Sequence, residues 1–184
     1  MQPLTPAEVR RKIILDYAKW TALSALRSGA PVKKRKSVYP LLDAVAFDVV
    51  LTSETPITSD EFNRWHEEQT LALCNRDKAV PVGWAVKMIN VYLKTAVYVG
   101  NLGRPDLVKV IHPPIDSGLW KGLRAKFRDR KDSLKKVRSV ERIKNITDYK
   151  TYRSIIEGCQ ELAEIAGCSL IELEQFWLGA DTPT

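Results

Sequence analysis

Cysteine and histidine are scarce in this chain. Its three cysteines, Cys74, Cys159 and Cys168, are odd in number and have no metal-binding or redox spacing, which argues against a disulfide framework. The two histidines, His66 and His112, lack the partners that a metal site or a Ser/His/Asp arrangement needs. We therefore expect no metal, no cofactor, and a reducing, cytoplasmic setting.

Several other patterns are also missing. The sequence has no Gly-rich phosphate loop, no internal repeat and no long alternation of apolar and polar residues, so we expect little or no β-sheet. We see no pattern of a signal peptide or a membrane span. With 184 residues, of which 45% are hydrophobic, the chain is long enough for a real core. The sequence predicts an all-α fold, a single compact helical domain over residues 1–184, with no membrane partner.

Positive charge is in excess. The chain has 29 Lys and Arg against 22 Asp and Glu, a formal net charge of +7, which favours a polyanionic partner. The imbalance is largest over residues 121–144, where basic residues far outnumber Asp129, Asp132 and Glu141. This segment is either a solvated helix surface or a surface that binds DNA phosphates. The candidate DNA contacts are Lys121, Arg124 and Arg128.

Helical spacing of apolar residues dominates the chain. It predicts helices over residues 5–27, 37–53, 58–74, 82–99, 116–128, 148–166 and 170–178. In the first of them, one apolar face is formed by Val9, Ile13, Tyr17, Trp20, Leu23 and Ala25 or Leu26. The third and fourth helices are joined by a short polar turn, which predicts a helix-hairpin-helix-like element.

The helix at 82–99 is the most apolar of the set. Its polar residues Lys87, Asn90 and Lys94 follow one another at spacings of three and four, and Trp84 begins the same stripe. One interpretation is that the stripe is the single wet face of a buried helix. The other is that it lines a pocket, because an ammonium group beside an indole suits an electron-rich planar ligand.

A proline pair leads to a carboxylate at the start of the next helix. Pro113 and Pro114 favour an extended approach, and Asp116 follows at the first helical turn. Aspartate is a common helix cap, so Asp116 has a structural interpretation. A carboxylate held there can also face a cleft, which is the functional interpretation.

Three short segments resemble parts of one enzyme family. Residues 84–90, Trp-Ala-Val-Lys-Met-Ile-Asn, are similar to the family's helix after the hairpin. Residues 111–116, Ile-His-Pro-Pro-Ile-Asp, are similar to the Pro-hydrophobic-Asp element that carries its catalytic aspartate. The third and weaker likeness is Phe176-Trp177, where one branch has an aromatic residue that stacks on a base. In these features the chain resembles the 8-oxoguanine DNA glycosylases of the helix-hairpin-helix superfamily, mainly the archaeal type and its bacterial relatives.

The resemblance implies a DNA glycosylase that flips an oxidised or modified purine, such as 8-oxoguanine, out of DNA and removes it. Trp84 and Trp177 would sandwich the purine, Lys87 would approach the edge of the base, and Asp116 would act at the sugar. A nearby carboxylate stabilises the positive charge that develops on the sugar as the glycosidic bond breaks. The expected partner is double-stranded DNA, and the expected state is a monomer.

One position departs from the family pattern. Members that also cleave the DNA strand use a lysine, four residues before the first stacking residue, to form a Schiff base with the sugar. Val80 occupies that position here, and Lys78 lies two residues earlier in the turn. The predicted catalytic residues are therefore Asp116 and Lys78. Two alternatives stay open: a helical module that binds nucleic acid without chemistry, and a protein-interaction domain.

Overall fold

The computed structural model describes residues 3–26 and 29–179, and all regular structure in these two ranges is helical. The predicted all-α class is confirmed, and the helices form one compact domain. In chain order the α-helices are α1 (Pro6–Ser24), α2 (Arg35–Asp43), α3 (Asp48–Leu51), α4 (Ser59–Arg76), α5 (Val82–Leu93), α6 (Leu107–Val110), α7 (Ser117–Lys126), α8 (Lys131–Val137) and α9 (Tyr149–Ala166). The other helical segments are a π-helical turn (Lys94–Val99) and two 3-10 helices (Ile143–Asn145 and Leu170–Phe176).

Helix α5 lies at the centre of the domain, and every one of its residues is buried. Residues such as Met88 and Leu93 belong to a hydrophobic cluster with α1, α2 and α4. Val82 and Val86 belong to a second cluster, with α7, α8 and α9. A helix that is apolar on nearly all sides is stable where neighbours cover each of them. Helix α5 therefore joins the two clusters into one core.

The turn over residues 77–81 connects α4 to α5. Asp77 organises it, because its Oδ1 accepts a hydrogen bond from the Ala79 N–H at 2.9 Å and its carbonyl accepts one from the Val80 N–H at 3.0 Å. Pro81 precedes the first residue of α5, where the missing N–H costs the helix no hydrogen bond. The predicted helix-hairpin-helix-like element is confirmed.

After Leu93 the chain continues as the π-helical turn, in which the Gly100 N–H donates to the Thr95 carbonyl at 2.9 Å. The predicted helix over 82–99 has the right extent, but the sequence did not indicate this change of helix type. The Thr95 hydroxyl donates to the Val91 carbonyl at 3.1 Å and lies 2.8 Å from the Thr21 hydroxyl of α1. Such side-chain bonds to the helix backbone compete with regular α-helical geometry.

The single helix predicted over residues 37–53 is wrong, because the chain breaks between α2 and α3. Side chains of α4 bind the backbone exposed by the break. The Trp65 Nε1 donates to the Ala46 carbonyl at 3.2 Å, and the Ala46 N–H donates to Gln69 Oε1 at 2.9 Å. These two bonds satisfy the peptide groups that a continuous helix would have paired internally.

Only the C-terminal end of the apolar face predicted for the first helix packs on the core, through Leu23 and Leu26. The rest of the face points away from the core. Val9, Ile13, Tyr17 and Trp20 are 41–62% exposed. The side that contacts the core carries the fully buried Ala18 and Ala22, and the partly buried Ile14 and Leu15 pack there with them. The exposed apolar face of α1, from Val9 to Trp20, is thus left without a partner within the described residues of this chain.

The last helical segment is a 3-10 helix over Leu170–Phe176, whereas the sequence predicts an α-helix over 170–178. The chain after it lies against α7, where the Leu178 N–H donates to the Gly118 carbonyl at 3.2 Å. Gly122 makes this approach possible, since a Cβ atom on it would come within 1.6 Å of the Phe176 carbonyl oxygen. The end of the described chain is therefore fastened to α7 through two glycines.

We expect Gly122→Ala to destabilise the fold. In an exposed helix this change stabilises by about 0.5–1 kcal/mol, but here the methyl group would push on the Phe176 backbone at an overpacking cost of about 1–3 kcal/mol. Urea unfolding of the variant and of Ser117→Thr, which adds a methyl group at an exposed position of the same helix, measures the difference. A Gly122→Ala protein as stable as wild type would contradict the close contact.

Candidate active site

Asp116 both caps α7 and faces α5. Its Oδ1 accepts hydrogen bonds from the N–H groups of Gly118 at 3.0 Å and Leu119 at 3.1 Å, so the predicted helix cap is confirmed. The same oxygen accepts a third bond from Nε1 of Trp177 at 2.9 Å. The carboxylate is thereby held in one orientation, with its other oxygen turned to α5.

Lys87 supplies the group that meets this second oxygen. Its Nζ lies 3.3 Å from Asp116 Oδ2 and 5.9 Å from the centre of the Trp84 ring. The Lys87 side chain is 11% exposed and that of Asp116 is 26% exposed. The pair is therefore shielded but still open to a ligand, and it joins two of the segments on which the sequence resemblance rests.

The stripe on α5 is not a wet face, since Asn90 is fully buried. Its Nδ2 donates to the Pro113 carbonyl at 3.1 Å and to the Tyr152 hydroxyl at 2.8 Å, and its Oδ1 lies 2.8 Å from His66 Nε2. A side-chain amide left without hydrogen bonds at this depth would typically cost about 1–3 kcal/mol of folding stability. The solvated interpretation of the stripe is wrong, and its polar groups point at protein partners.

A second ion pair lies further along the stripe. Lys94, at the start of the π-helical turn, places Nζ 2.5 Å from Glu174 Oε2. Burial raises the pKa of the Glu174 carboxyl, Lys94 opposes this rise, and the Asp116 carboxylate adds to it. Glu174 was missed in the sequence. The sequence did contain a signal for it. Glu174 lies three residues before Trp177, and Lys94 lies seven residues, or two helical turns, after Lys87.

The two tryptophans predicted to hold a base differ in exposure. Trp177 is 46% exposed beside Asp116, whereas Trp84 is only 6% exposed. Phe176, the neighbour of Trp177, packs edge-on against Phe127 at 5.3 Å between ring centres, so one of the two adjacent aromatic residues faces the site. Gly118 allows this placement, because a Cβ atom on it would lie 2.3 Å from Trp177 Nε1.

Lys78 occupies a different environment. It is exposed in the turn between α4 and α5, where its Nζ donates to Asn75 Oδ1 at 2.7 Å. The ammonium group in contact with Asp116 is that of Lys87. The catalytic role of Lys78 stays a prediction, while the geometry offers Lys87 as the amine next to the carboxylate.

The three candidate DNA contacts belong to the segment that Asp116 begins. Lys121 is half-buried and Arg124 is exposed on α7, and Arg128 is exposed just after it. Further basic residues follow on α8, although Lys136 there pairs with Glu161 of α9. The placement puts positive charge on the same helix as the carboxylate, and the DNA contacts themselves stay predictions.

Both histidines, which the sequence left without partners, lie in one buried hydrogen-bond network. The chain of contacts is Tyr149 hydroxyl to His66 Nδ1 (2.8 Å), His66 Nε2 to Asn90 Oδ1 (2.8 Å), Asn90 Nδ2 to Tyr152 hydroxyl (2.8 Å), Tyr152 hydroxyl to His112 Nδ1 (2.9 Å) and His112 Nε2 to Asn63 Oδ1 (3.0 Å). One proton assignment satisfies every group, with both histidines neutral and protonated on Nε2. Among the described residues no buried polar side-chain atom lacks a partner.

Burial keeps these histidines neutral. It lowers the pKa of His66 from 6.5 to about 4 and that of His112 well below its usual value. The residues of this network lie far apart in the sequence, on α4, α5, α9 and the proline segment, so only folding brings them together. The network ties Pro113, three residues before Asp116, to the helix that carries Lys87.

Neither the described residues nor comparisons with known proteins indicate a further ligand for the site. Within residues 3–26 and 29–179, no group of three or more His, Cys, Asp or Glu side chains is arranged to bind a metal ion. In the same ranges, no helix combines the length and the apolar character needed to cross a bilayer. No protein-family model, curated protein or solved structure matches the chain.

We expect the protein to lose stability in mild acid because of its buried histidines. An unfolded histidine takes up a proton below pH 6.5, whereas His66 stays neutral in the folded state down to about pH 4. The free energy of unfolding should therefore fall as the pH drops from 6.5, by about 2 kcal/mol at pH 5 from His66 alone, and His112 should act in the same direction. Urea unfolding at pH 7 and pH 5 measures this loss.

The control variant is His66→Gln, which has no titrating group at that position. It should be less stable than wild type at pH 7 but lose less stability between pH 7 and pH 5. Glu174 acts in the opposite direction, because its raised pKa favours the folded state on acidification. Equal losses for wild type and His66→Gln would show that His66 is not held neutral.

Proposed function

We propose that this protein is a DNA N-glycosylase that removes an oxidised or modified purine, such as 8-oxoguanine, after flipping it out of the duplex. The observation that carries the proposal is the contact of 3.3 Å between Lys87 Nζ and Asp116 Oδ2 in a partly accessible site beside an exposed indole. An amine and a carboxylate side by side are the two groups that cleavage of a glycosidic bond can use.

The pair supports two routes of bond cleavage. In the first, the Lys87 ammonium passes a proton to Asp116, and its lone pair then forms a bond to C1′ of the sugar. The base leaves with the electrons of the C1′–N bond and takes up a proton. In the second, a water molecule attacks C1′ and gives its proton to the Asp116 carboxylate, which also stabilises the positive sugar. Only the first route links Lys87 to the DNA.

The rest of the site suits a flipped base. The exposed face of Trp177 offers a stacking surface beside Asp116, which is how enzymes hold an extruded base. The ion pair of Lys94 and Glu174 lies two helical turns beyond Lys87, about 10 Å along the axis, and offers a donor and an acceptor to the polar edge of a purine. Trp84 lies too deep to stack fully without a shift of its neighbours.

A basic helix next to the site supports DNA as the partner. Lys121 and Arg124 project from α7, whose first turn is capped by Asp116, and Arg128 follows the helix. Phosphate contacts at these residues would hold the duplex while one nucleotide reaches the carboxylate. The same surface is the observation that favours the second candidate function, a helical module that binds nucleic acid without chemistry.

We expect Asp116→Asn to abolish base release but not folding. Asparagine keeps the Oδ1 bonds to the N–H groups of α7 and caps a helix about as well as aspartate, so the helix should persist. A duplex with a single 8-oxoguanine is incubated with wild type, Asp116→Asn or the exposed control Asp129→Asn, with and without hot alkali. Wild type and control should cleave the strand, and Asp116→Asn should bind without cleaving.

Each result has a defined meaning. Cleavage only after alkali indicates the water route, and cleavage without alkali indicates the amine route. Base release by Asp116→Asn at the wild-type rate would sink the proposal. Salt-sensitive DNA binding with no base release by wild type, on 8-oxoguanine and on other modified purines, would establish the binding module instead.

If the amine route operates, we expect borohydride to trap a covalent protein–DNA adduct through Lys87. When the C1′–O4′ bond of the sugar opens, O4′ takes up a proton and the lysine bound to C1′ becomes an imine. Hydride from borohydride reduces this imine and fixes the lysine to the sugar, and the adduct is visible on a denaturing gel. Lys87→Gln should form no adduct, whereas Lys78→Gln should form as much as wild type, because Lys78 binds Asn75 in the turn. Loss of the adduct in Lys78→Gln alone would return the catalytic role to Lys78.

A further inference from the structure

The outward face of α1 is an exposed apolar surface that the proposed function does not use. Leu4, Val9, Ile13, Tyr17 and Trp20 are all 41–62% exposed, and the last four follow one another along one side of the helix. Together they expose an apolar surface on the order of 500 Å², within the range of the largest patch on a typical monomer. A patch of this size is often functional even on a monomer.

The two ends of this face have opposite shapes. At the N-terminal end is an open groove of about 420 Å³ lined by Leu4, Pro6, Val9, Arg10, Ile13 and Ile14. At the C-terminal end the rings of Tyr17 and Trp20 stack on each other, with centres 5.5 Å apart and planes 16° apart. One helix thus carries a hollow and a rigid aromatic projection, separated by about 16 Å between residues 9 and 20.

From this geometry we propose that the protein forms a homodimer in which the α1 helices of two copies pack antiparallel. A twofold axis near the middle of α1 brings the aromatic pair of each copy to the groove of the other, which is an isologous contact. The groove is large enough for an indole ring. Arg10, at the edge of the groove, would lie beside the arriving Trp20 ring and favour it through a cation–π contact.

The charges on α1 also fit a second copy. Lys12 and Asp16 form an ion pair of 2.5 Å near the middle of the helix. In an antiparallel arrangement the carboxylate of each copy comes close to the ammonium group of the other, so no like charges meet at the axis. A lipid surface or a nucleic acid fits less well, because it would bring negative charge to the Asp16 carboxylate at the rim, where a second copy brings an ammonium group.

The available area agrees with a stable dimer. A standard interface buries about 800 Å² on each partner, with an apolar centre and a polar rim. The apolar face of α1 supplies more than half of this, and Arg10, Lys12 and Asp16 form its rim. This inference differs from the monomer that the sequence predicts, and it does not depend on the glycosylase activity.

The test is the mass of the protein in solution, measured by light scattering after size exclusion over a wide range of concentration. Wild type should elute as a species of twice 20.8 kDa. Ile13→Glu and Ile13→Lys should each elute at the mass of one chain and keep the helical circular dichroism of wild type, because Ile13 is exposed in the single chain. Their melting temperatures should fall only by the stabilisation that dimerisation gives to wild type. The matched control Ile165→Glu, at an exposed position of α9, should elute like wild type.

A mixture tests the twofold arrangement itself. Equal amounts of Ile13→Glu and Ile13→Lys should restore the two-chain species, since opposite charges meet near the axis. A wild-type mass of one chain at all concentrations, or a two-chain mass for Ile13→Glu, would overturn the proposal. A mixture that stays at one chain would overturn the antiparallel geometry.

Discussion

The amide of Asn90 is the interaction on which the candidate site depends. It lies inside the fully buried α5, where its oxygen and nitrogen are matched by His66, Tyr152 and the Pro113 carbonyl. Because it holds Pro113, it fixes the segment that ends in Asp116 against the helix that carries Lys87. The hydrogen bond between Asn90 and Pro113 thus helps to bring Lys87 and Asp116, which are 29 positions apart in the chain, within 3.3 Å of each other.

The elements that follow from local patterns were accessible from the sequence. The cap at Asp116, the hairpin before α5 and the extent of α9 depend on a few neighbouring residues, and their chemistry is local. Lys87 could be placed on a stripe with Asn90 because helical spacing is periodic. The partner of Lys87, however, is Asp116 at the start of α7, and the periodicity of α5 carries no information about another helix.

The elements that depend on contacts between distant segments were not accessible. The break after α2 is stabilised by Trp65 and Gln69 of another helix, and the Thr95 hydroxyl meets α1 at the π-helical turn. Two histidines that are far apart in sequence are joined through Asn90 and the Tyr152 hydroxyl of α9. On α1, hydrophobicity did not indicate which side faces the core, because apolar residues lie on both sides of the helix. Ala18, Ala22 and Ile14 pack on the core, whereas Ile13 and Tyr17 are exposed.

The three N–H donors on Asp116 Oδ1 have a stereochemical consequence. Gly118, Leu119 and Trp177 occupy one carboxylate oxygen, so only Oδ2 is left for a ligand, on the side of Lys87 Nζ. A sugar that enters the site therefore meets the carboxylate and the amine from a single direction. Under the proposed function, bond formation and bond breaking at its anomeric carbon would then take place on opposite faces, and the site would process one anomer of the nucleoside and exclude the other.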